Sequence, residues 1–232
     1  MVAEMKWKND FLKRVGACLI MLSIGIPAVA QEVSEPLADF RELKTFSGVK
    51  VILVPSQENK IEITGHSKNE VSYDITGGRL EIRLPIDHIW SEDNTLIRIM
   101  GNGVEIIDAN EGSIIETEGV VEASGLVIRA QEGATVKADV KAGDVSGKAV
   151  TGGIIELSGS AKEQEVEVNT GGKYLASDLL TQRTEIEVGT AGRGEVYVTD
   201  TCRATAKLGG VIQVLGNPEE LNTKTSLGGK IL

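Results

Sequence analysis

Apolar and polar residues alternate along most of this chain with a period of two. The runs VKVILV at 49–54, KIEITG at 60–65, VSYDI at 71–75 and LEIRL at 80–84 put apolar, often β-branched residues at every second position. That pattern predicts half-buried strands. The runs are separated by turn signals such as Pro55-Ser56 and Gly77-Gly78. After PIDHIWSEDN at 85–94, a loop of different character, TLIRI at 95–99 and GVEIID at 103–108 resume the alternation. No stretch after residue 30 carries a helical period. The expectation is an all-β protein.

From residue 111 a longer period is laid over the short one. A glycine phrase returns as TGGIIEL at 151–157, TGGKYLA at 170–176, TAGRGEVYV at 190–198, LGGVIQV at 208–214 and LGGKIL at 227–232. The second small residue of each phrase falls at Gly153, Gly172, Gly192, Gly210 and Gly229, in steps of 19, 20, 18 and 19 residues. EGSIIET and EGATVKA place Gly112 and Gly133 on the same beat. A phrase that recurs at a fixed interval is a unit of construction, and a unit this short cannot bury its apolar face alone. Stacking the units buries a continuous core. The expected fold is therefore a β-helix or β-solenoid with turns of about 19 residues, two short strands and a Gly-Gly corner per turn.

Counting back from each corner gives explicit columns. Ala149, Val168, Val188, Ala206 and Thr225 form one, and Gly147, Val166, Ile186, Ala204 and Thr223 another; both are small or β-branched and should face inward. The columns Lys148, Glu167, Glu187, Thr205, Lys224 and Ser146, Glu165, Glu185, Arg203, Asn222 are polar and should face water. Lys148 beside Glu167, and Arg203 beside Glu185, offset the like-charge steps that stacked strands would otherwise suffer.

Residues 1–30 read differently. Lys6, Lys8, Lys13 and Arg14 precede the apolar VGACLIMLSIGIPAVA, which ends in Ala28-Val29-Ala30. This is the layout of a secretory signal peptide cleaved after Ala30. Its core is shorter than a membrane span needs, so no transmembrane anchor is expected in the mature chain. The expected organisation is a signal peptide at 1–30, a flexible leader at 31–39 and one β-helical domain at 40–232. Export to the periplasm, the outer surface or the medium follows.

Removing residues 1–30 takes away four cations and two anions, so the net charge moves from −10 to −12. That balance argues against nucleic acid or an anionic membrane as partner. Only Cys202 remains, which excludes an internal disulfide and reads as a small packed residue.

Candidate chemistry is sparse. Glycoside cleavage needs two carboxylates flanking a bond, and Glu165, Glu167, Glu185 and Glu187 are expected on solvated ladders instead. The calcium-binding repeat G-G-x-G-x-D is absent from GGIIEL, GGKYLA, GGVIQV and GGKIL. His66 and His88 lack zinc spacing, and Asp87, His88, Glu92 and Asp93 read as a solvated loop. Neither catalytic residues nor a metal or other cofactor are expected. Trp90, alone among polar residues, is either a lid on the solenoid's end or a partner anchor. Leu175 and Tyr197, in an outward column with Glu156 and Gln213, would make an apolar contact strip. A second copy of the chain could pair with strand edges left open near LGGKIL.

The opening FRELKTFSGVKVILVPSQENKIEITG, followed by LEIRL, resembles the start of the DUF2807 family, described as the putative auto-transporter adhesin, head GIN domain. LGGVIQVLGNPEELNTKTSLGGKI is similar to that family's end. The resemblance spans roughly residues 40–231. It implies a secreted or surface β-helical protein with an adhesin-like role toward a protein or glycan of the cell envelope, and it carries no catalytic residues. Gly-Gly, Ala-Gly-Arg-Gly and Glu-Gly corners here replace the family's usual Gly-Ser-Gly style.

Overall fold

The computed structural model describes residues 32–85 and 94–232. The expected signal peptide and, from the 85–94 loop, Asp87, His88, Trp90, Glu92 and Asp93 lie outside the described residues. Along the described chain run β1 (Val33–Pro36), β2 (Glu42–Thr45), β3 (Lys50–Pro55), β4 (Lys60–Thr64), β5 (Ser72–Thr76), β6 (Arg79–Arg83), β7 (Leu96–Gly101) and β8 (Ile106–Ala109). The longer β9 (Ile114–Gln131), β10 (Thr135–Val150), β11 (Ile154–Val168), β12 (Lys173–Val188) and β13 (Arg193–Ala206) follow. Then come β14 (Val211–Leu215), β15 (Glu220–Thr225) and β16 (Lys230–Ile231).

Strands β9 to β13 each make most of one coil and pair in parallel with the next, so the coils stack into a β-solenoid. The two short strands of each sequence unit run on as a single bent strand, 16 residues long in β10 and β12. Toward the N-terminus the stack divides into two sides, one through β8, β2 and β6 and the other through β3 and β7. Each side ends in antiparallel strands: β5 on β6, and β4 on β7 with β1 outermost. Residues 33–36, expected as part of a flexible leader, are therefore an edge strand. Val33 and Leu37 pack against the core, and the Leu37 N–H donates to the Asn59 carbonyl at 3.0 Å.

The corners explain the glycines. At 151–152, 170–171, 208–209 and 227–228 two consecutive residues adopt left-handed φ, for example Thr170 at 49° and Gly171 at 72°. The N–H of the following residue closes the turn, as Gly172 does onto the Asn169 carbonyl at 3.0 Å. This is a type I′ turn, which needs positive φ at both central positions. The corners also bond to one another. Gly133 donates to the Thr151 carbonyl, Gly152 to that of Thr170, and Gly171 to that of Thr190, all at 3.0–3.1 Å.

The second glycine of each pair has a different role. A Cβ on Gly153 would lie 2.0 Å from the Ala130 carbonyl oxygen, and one on Gly172 would lie 2.1 Å from that of Ala149. Gly171, by contrast, has open space around the position of a Cβ. One glycine serves the turn, the other the closeness of the coil before. Gly112 and Gly133 have the left-handed φ of the first glycine. Ser113 and Ala134, which close those turns, occupy the second position, so the sequence alignment was one residue out there.

The registers reproduce the expected columns. Ala149, Val168, Val188, Ala206 and Thr225 are successive partners, as are Gly147, Val166, Ile186, Ala204 and Thr223. The first column extends upward through Ala130, Ala109 and Thr45 to Ile82. On the outward ladder Lys148 meets Glu167 at 2.8 Å, while Glu187 is engaged by Lys207. The same ladder holds Asp108, almost fully buried, between Lys44 at 3.1 Å and Arg129 at 4.0 Å.

Two neighbouring substitutions separate the two roles of glycine. Gly171→Ala should cost about 1–2 kcal/mol, the penalty for an L-residue in left-handed φ. Gly172→Ala should cost about 1–3 kcal/mol more, because its methyl group must push coils apart. Urea midpoints of the two variants measure the difference; equal costs would sink the distinction.

Candidate functional site

Beside residues 144–146 and their partners in the following coils, the solenoid's flank carries a shallow groove of about 590 Å³. Two charged columns form its walls. Asp144, Glu163, Arg183, Thr201 and Glu220 succeed one another in register on one wall, and Ser146, Glu165, Glu185, Arg203 and Asn222 on the other. The strand period of two places these side chains outward and Val145, Gln164 and Thr184 between them inward. One strand thus contributes to both walls, two residues apart.

A buried polar network lies beneath. Tyr174 is fully buried, and its hydroxyl donates to Gln164 Oε1 at 2.9 Å. Gln164 Nε2 in turn donates to Thr184 Oγ1 at 2.9 Å and Thr181 Oγ1 at 3.1 Å. The Thr181 hydroxyl continues to the Tyr197 carbonyl at 2.7 Å. Each buried polar group has a partner, as low-dielectric surroundings require. Burial holds the Tyr174 hydroxyl well above its ordinary value, so it stays a donor. Room for the ring comes from Gly147, where a Cβ would lie 2.5 Å from Tyr174 Cε2.

The walls are electrostatically uneven. Glu163 is paired with Arg183. Among the described residues, Glu165, Glu185 and Arg203 make no ion pair or side-chain hydrogen bond, and all three are exposed. Glu165 and Glu185 are register neighbours on one wall, pointing the same way, so they do not flank a bond from opposite sides. Across the groove, Glu163 sits beside a guanidinium with about half its side chain exposed, and Asp144 is exposed to solvent. A general acid needs burial away from cations to keep its proton near neutrality. The arrangement suits holding a polar partner by solvated charges rather than turning it over.

The expected contact residues do not come together as one strip. Leu175 lies in register with Glu156, Glu195 and Gln213. Tyr197 instead pairs with Leu180 and Leu215. The physical reason is the count from the corner: Glu195 stands three residues after Gly192, as Leu175 does after Gly172, whereas Tyr197 stands five after. The expected outward column was wrong at Tyr197, which a register shift in β12 across Ser177, Asp178 and Leu179 then sets opposite Leu180. Leu180, 55% exposed, beside half-buried Tyr197 and Leu215 is the apolar row the flank does present. Trp90 lies outside the described residues. Sequence reasoning gave one groove wall, the polar column from Ser146 through Glu165, but missed the wall from Asp144 through Glu163 and the concavity. At Gly143, beside the groove, a Cβ would meet the Ser124 carbonyl oxygen at 2.4 Å, so the glycine marks a close approach of two coils.

Cys202 is fully buried beneath Arg203, and burial pushes its thiol up to about 11. It is a packed apolar residue. No group of three or more His, Cys, Asp or Glu side chains suited to a metal occurs among the described residues. No helix among them is long and apolar enough to cross a membrane.

Comparison with known proteins agrees with this architecture. The model of the DUF2807 family, described as "Putative auto-transporter adhesin, head GIN domain", matches residues 39–218. A solved structure described as a putative adhesin from Bacteroides fragilis is 14% identical, with a TM-score of 0.77 over 87% of this chain and 95% of its own. A putative adhesin from Parabacteroides merdae is 15% identical with a TM-score of 0.63 over the same shares. A putative lipid binding protein from Parabacteroides distasonis is 14% identical with a TM-score of 0.62, over 87% of this chain and 96% of its own. At such identities the likeness is one of fold. No curated protein matches the chain.

The buried thiol yields a pH dependence. Its ordinary value is 9.0, so the unfolded chain loses this proton first as pH rises. The stability contributed by keeping the thiol neutral is therefore complete below about pH 9 and is lost as pH rises through about 11. Between those values the urea midpoint of the native chain should fall more steeply than that of Cys202→Ala. Parallel slopes would place the alkaline loss elsewhere.

Proposed function

Since the chain belongs to the DUF2807 family, we propose that it is an exported, non-enzymatic, adhesin-like module that holds a protein or glycan of the cell envelope against its flank. The observation that carries this reading is the groove, one wall of which presents Glu165, Glu185 and Arg203 to solvent without partners among the described residues. Exposed charges placed on a rigid ladder are pre-organised for recognition, because little side-chain or backbone order has to be created on binding. Leu180, Tyr197 and Leu215, on the adjoining face of the same coils, supply an apolar edge to the contact.

Export rests on the sequence of residues 1–30, which has the charged, apolar and small-residue regions of a cleavable signal. The non-enzymatic part rests on the groove's chemistry: Glu163 is engaged by Arg183, Glu220 accepts from Asn222, and Asp144, Glu165 and Glu185 are all exposed, so no carboxylate there is buried as a general acid must be. Fold likeness alone does not decide function, since one scaffold carries different named roles among its relatives.

The test is an array of neutral and acidic glycans and envelope proteins, probed with residues 31–232 for both binding and turnover. Binding without cleavage is expected, weakened about tenfold or more by Arg203→Glu and separately by Tyr197→Ala, with urea midpoints near the parent's. Cleavage products from any glycan would overturn the non-enzymatic reading.

A further inference from the structure

The two ends of the described stack differ. At the N-terminal end the outermost strand of one side, β1, carries Pro36, which has no N–H to offer, and Glu35. Proline and charge on an edge strand discourage a second chain from pairing there. At the other end, β15 reads ELNTKT, hydrogen-bonds to β13 along one edge only, and is exposed at all six positions. It contains neither proline nor glycine.

The inward side of β15 is also unfinished. Leu221, Thr223 and Thr225 continue the columns of Cys202, Ala204 and Ala206, all of them buried one coil earlier. Leu221 is 48% exposed, and Leu208, Leu227 and Leu232 nearby make this end the richest in exposed large apolar residues. A coil laid on β15 would complete these columns and satisfy its free edge.

We propose that this coil is supplied by a second copy of the chain, through antiparallel pairing of β15 with itself about a two-fold axis at Asn222. The argument is charge complementarity. In that register Glu220 lies opposite the partner's Lys224, and Lys224 opposite the partner's Glu220. On the inner side Leu221 lies opposite the partner's Thr223, twice over. Opposite charges directly across an antiparallel pair stabilise it, and like charges do the reverse. The axis runs perpendicular to the sheet, so the inward face of both strands stays on the core side and the contact is isologous and closed. Lys224 has no side-chain partner among the described residues. Glu220 accepts one hydrogen bond, from Asn222 Nδ2 at 2.7 Å, which leaves its other oxygen for a cation.

Head-to-tail stacking is less favoured by the same measure. It would set β15 against β5, whose only ionisable outward residue is Asp74, already accepting from the Thr76 hydroxyl at 2.6 Å. One ion pair would replace two, and the contact would leave a free end to grow from.

The pairing makes a specific demand on charge reversals. Residues 31–232 should sediment as a dimer that dissociates on dilution. Glu220→Lys alone sets lysines opposite one another, and Lys224→Glu alone sets glutamates opposite one another; each should weaken the dimer by about tenfold or more. An equimolar mixture of the two single variants restores both pairs and should dimerise again, as should the double variant. These positions are solvent-exposed, so the variants' urea midpoints, extrapolated to low protein concentration, should match the parent's. A monomer at every concentration would overturn the proposal. So would an open polymer, which points to head-to-tail stacking, or a dimer unaffected by either reversal.

Discussion

Everything in this molecule answers to the distance between coils. Parallel strands lie ~4.8 Å apart, and at that spacing a corner's backbone comes against the carbonyl of the coil before. Where Gly153 and Gly172 pass Ala130 and Ala149, no side chain has room. The same closeness lets each corner hydrogen-bond to the next, so the tightest point of the fold is also among its best satisfied. Inside, the spacing brings like positions into contact, which favours the small and β-branched residues of the column from Ala109 to Ala206. Outside, it brings charges into contact, so Lys148 must answer Glu167 and Lys44 must answer Asp108.

That constraint also governs what was legible in the sequence. The columns through Ala149 and Gly147 could be read because the corner phrase fixes the register on its near side, and the strand then counts in twos. Legibility decays with distance from the corner. Tyr197 stands two residues beyond Glu195, the partner of Leu175, and because Ser177, Asp178 and Leu179 enlarge the coil it faces Leu180 where an even count would set it against Ser177. The corners at Gly112 and Gly133 were misplaced by one because Ser113 and Ala134 stand where later coils have glycine. The strand at Val33–Pro36 had too short a pattern to be distinguished from a leader. Concavity was harder still: alternation tells which side a residue faces and says nothing about how neighbouring rows are angled.

The site inherits its character from the scaffold. A ladder offers rows of identical presentation, which suits extended, multi-point contact more than the converging groups of a pocket. Membership of the DUF2807 family and the adhesin-named relatives agree with such a surface in general terms. Relatives at 14–15% identity share the frame and few of the side chains along it.

A stack of near-equal coils looks free to lengthen or shorten by whole units, and over most of this one a duplicated coil would meet neighbours like its own. Tyr174 removes that freedom locally. Its ring reaches from its own coil to the space left by Gly147 in an earlier one, and its hydroxyl is tied to Gln164 on the way. Copying or excising the coil between them would leave the ring against a side chain, or the glycine without its ring. In the middle of the stack the number of coils is therefore tied to one ring and one glycine, a dependence that near-equal coils would not otherwise have.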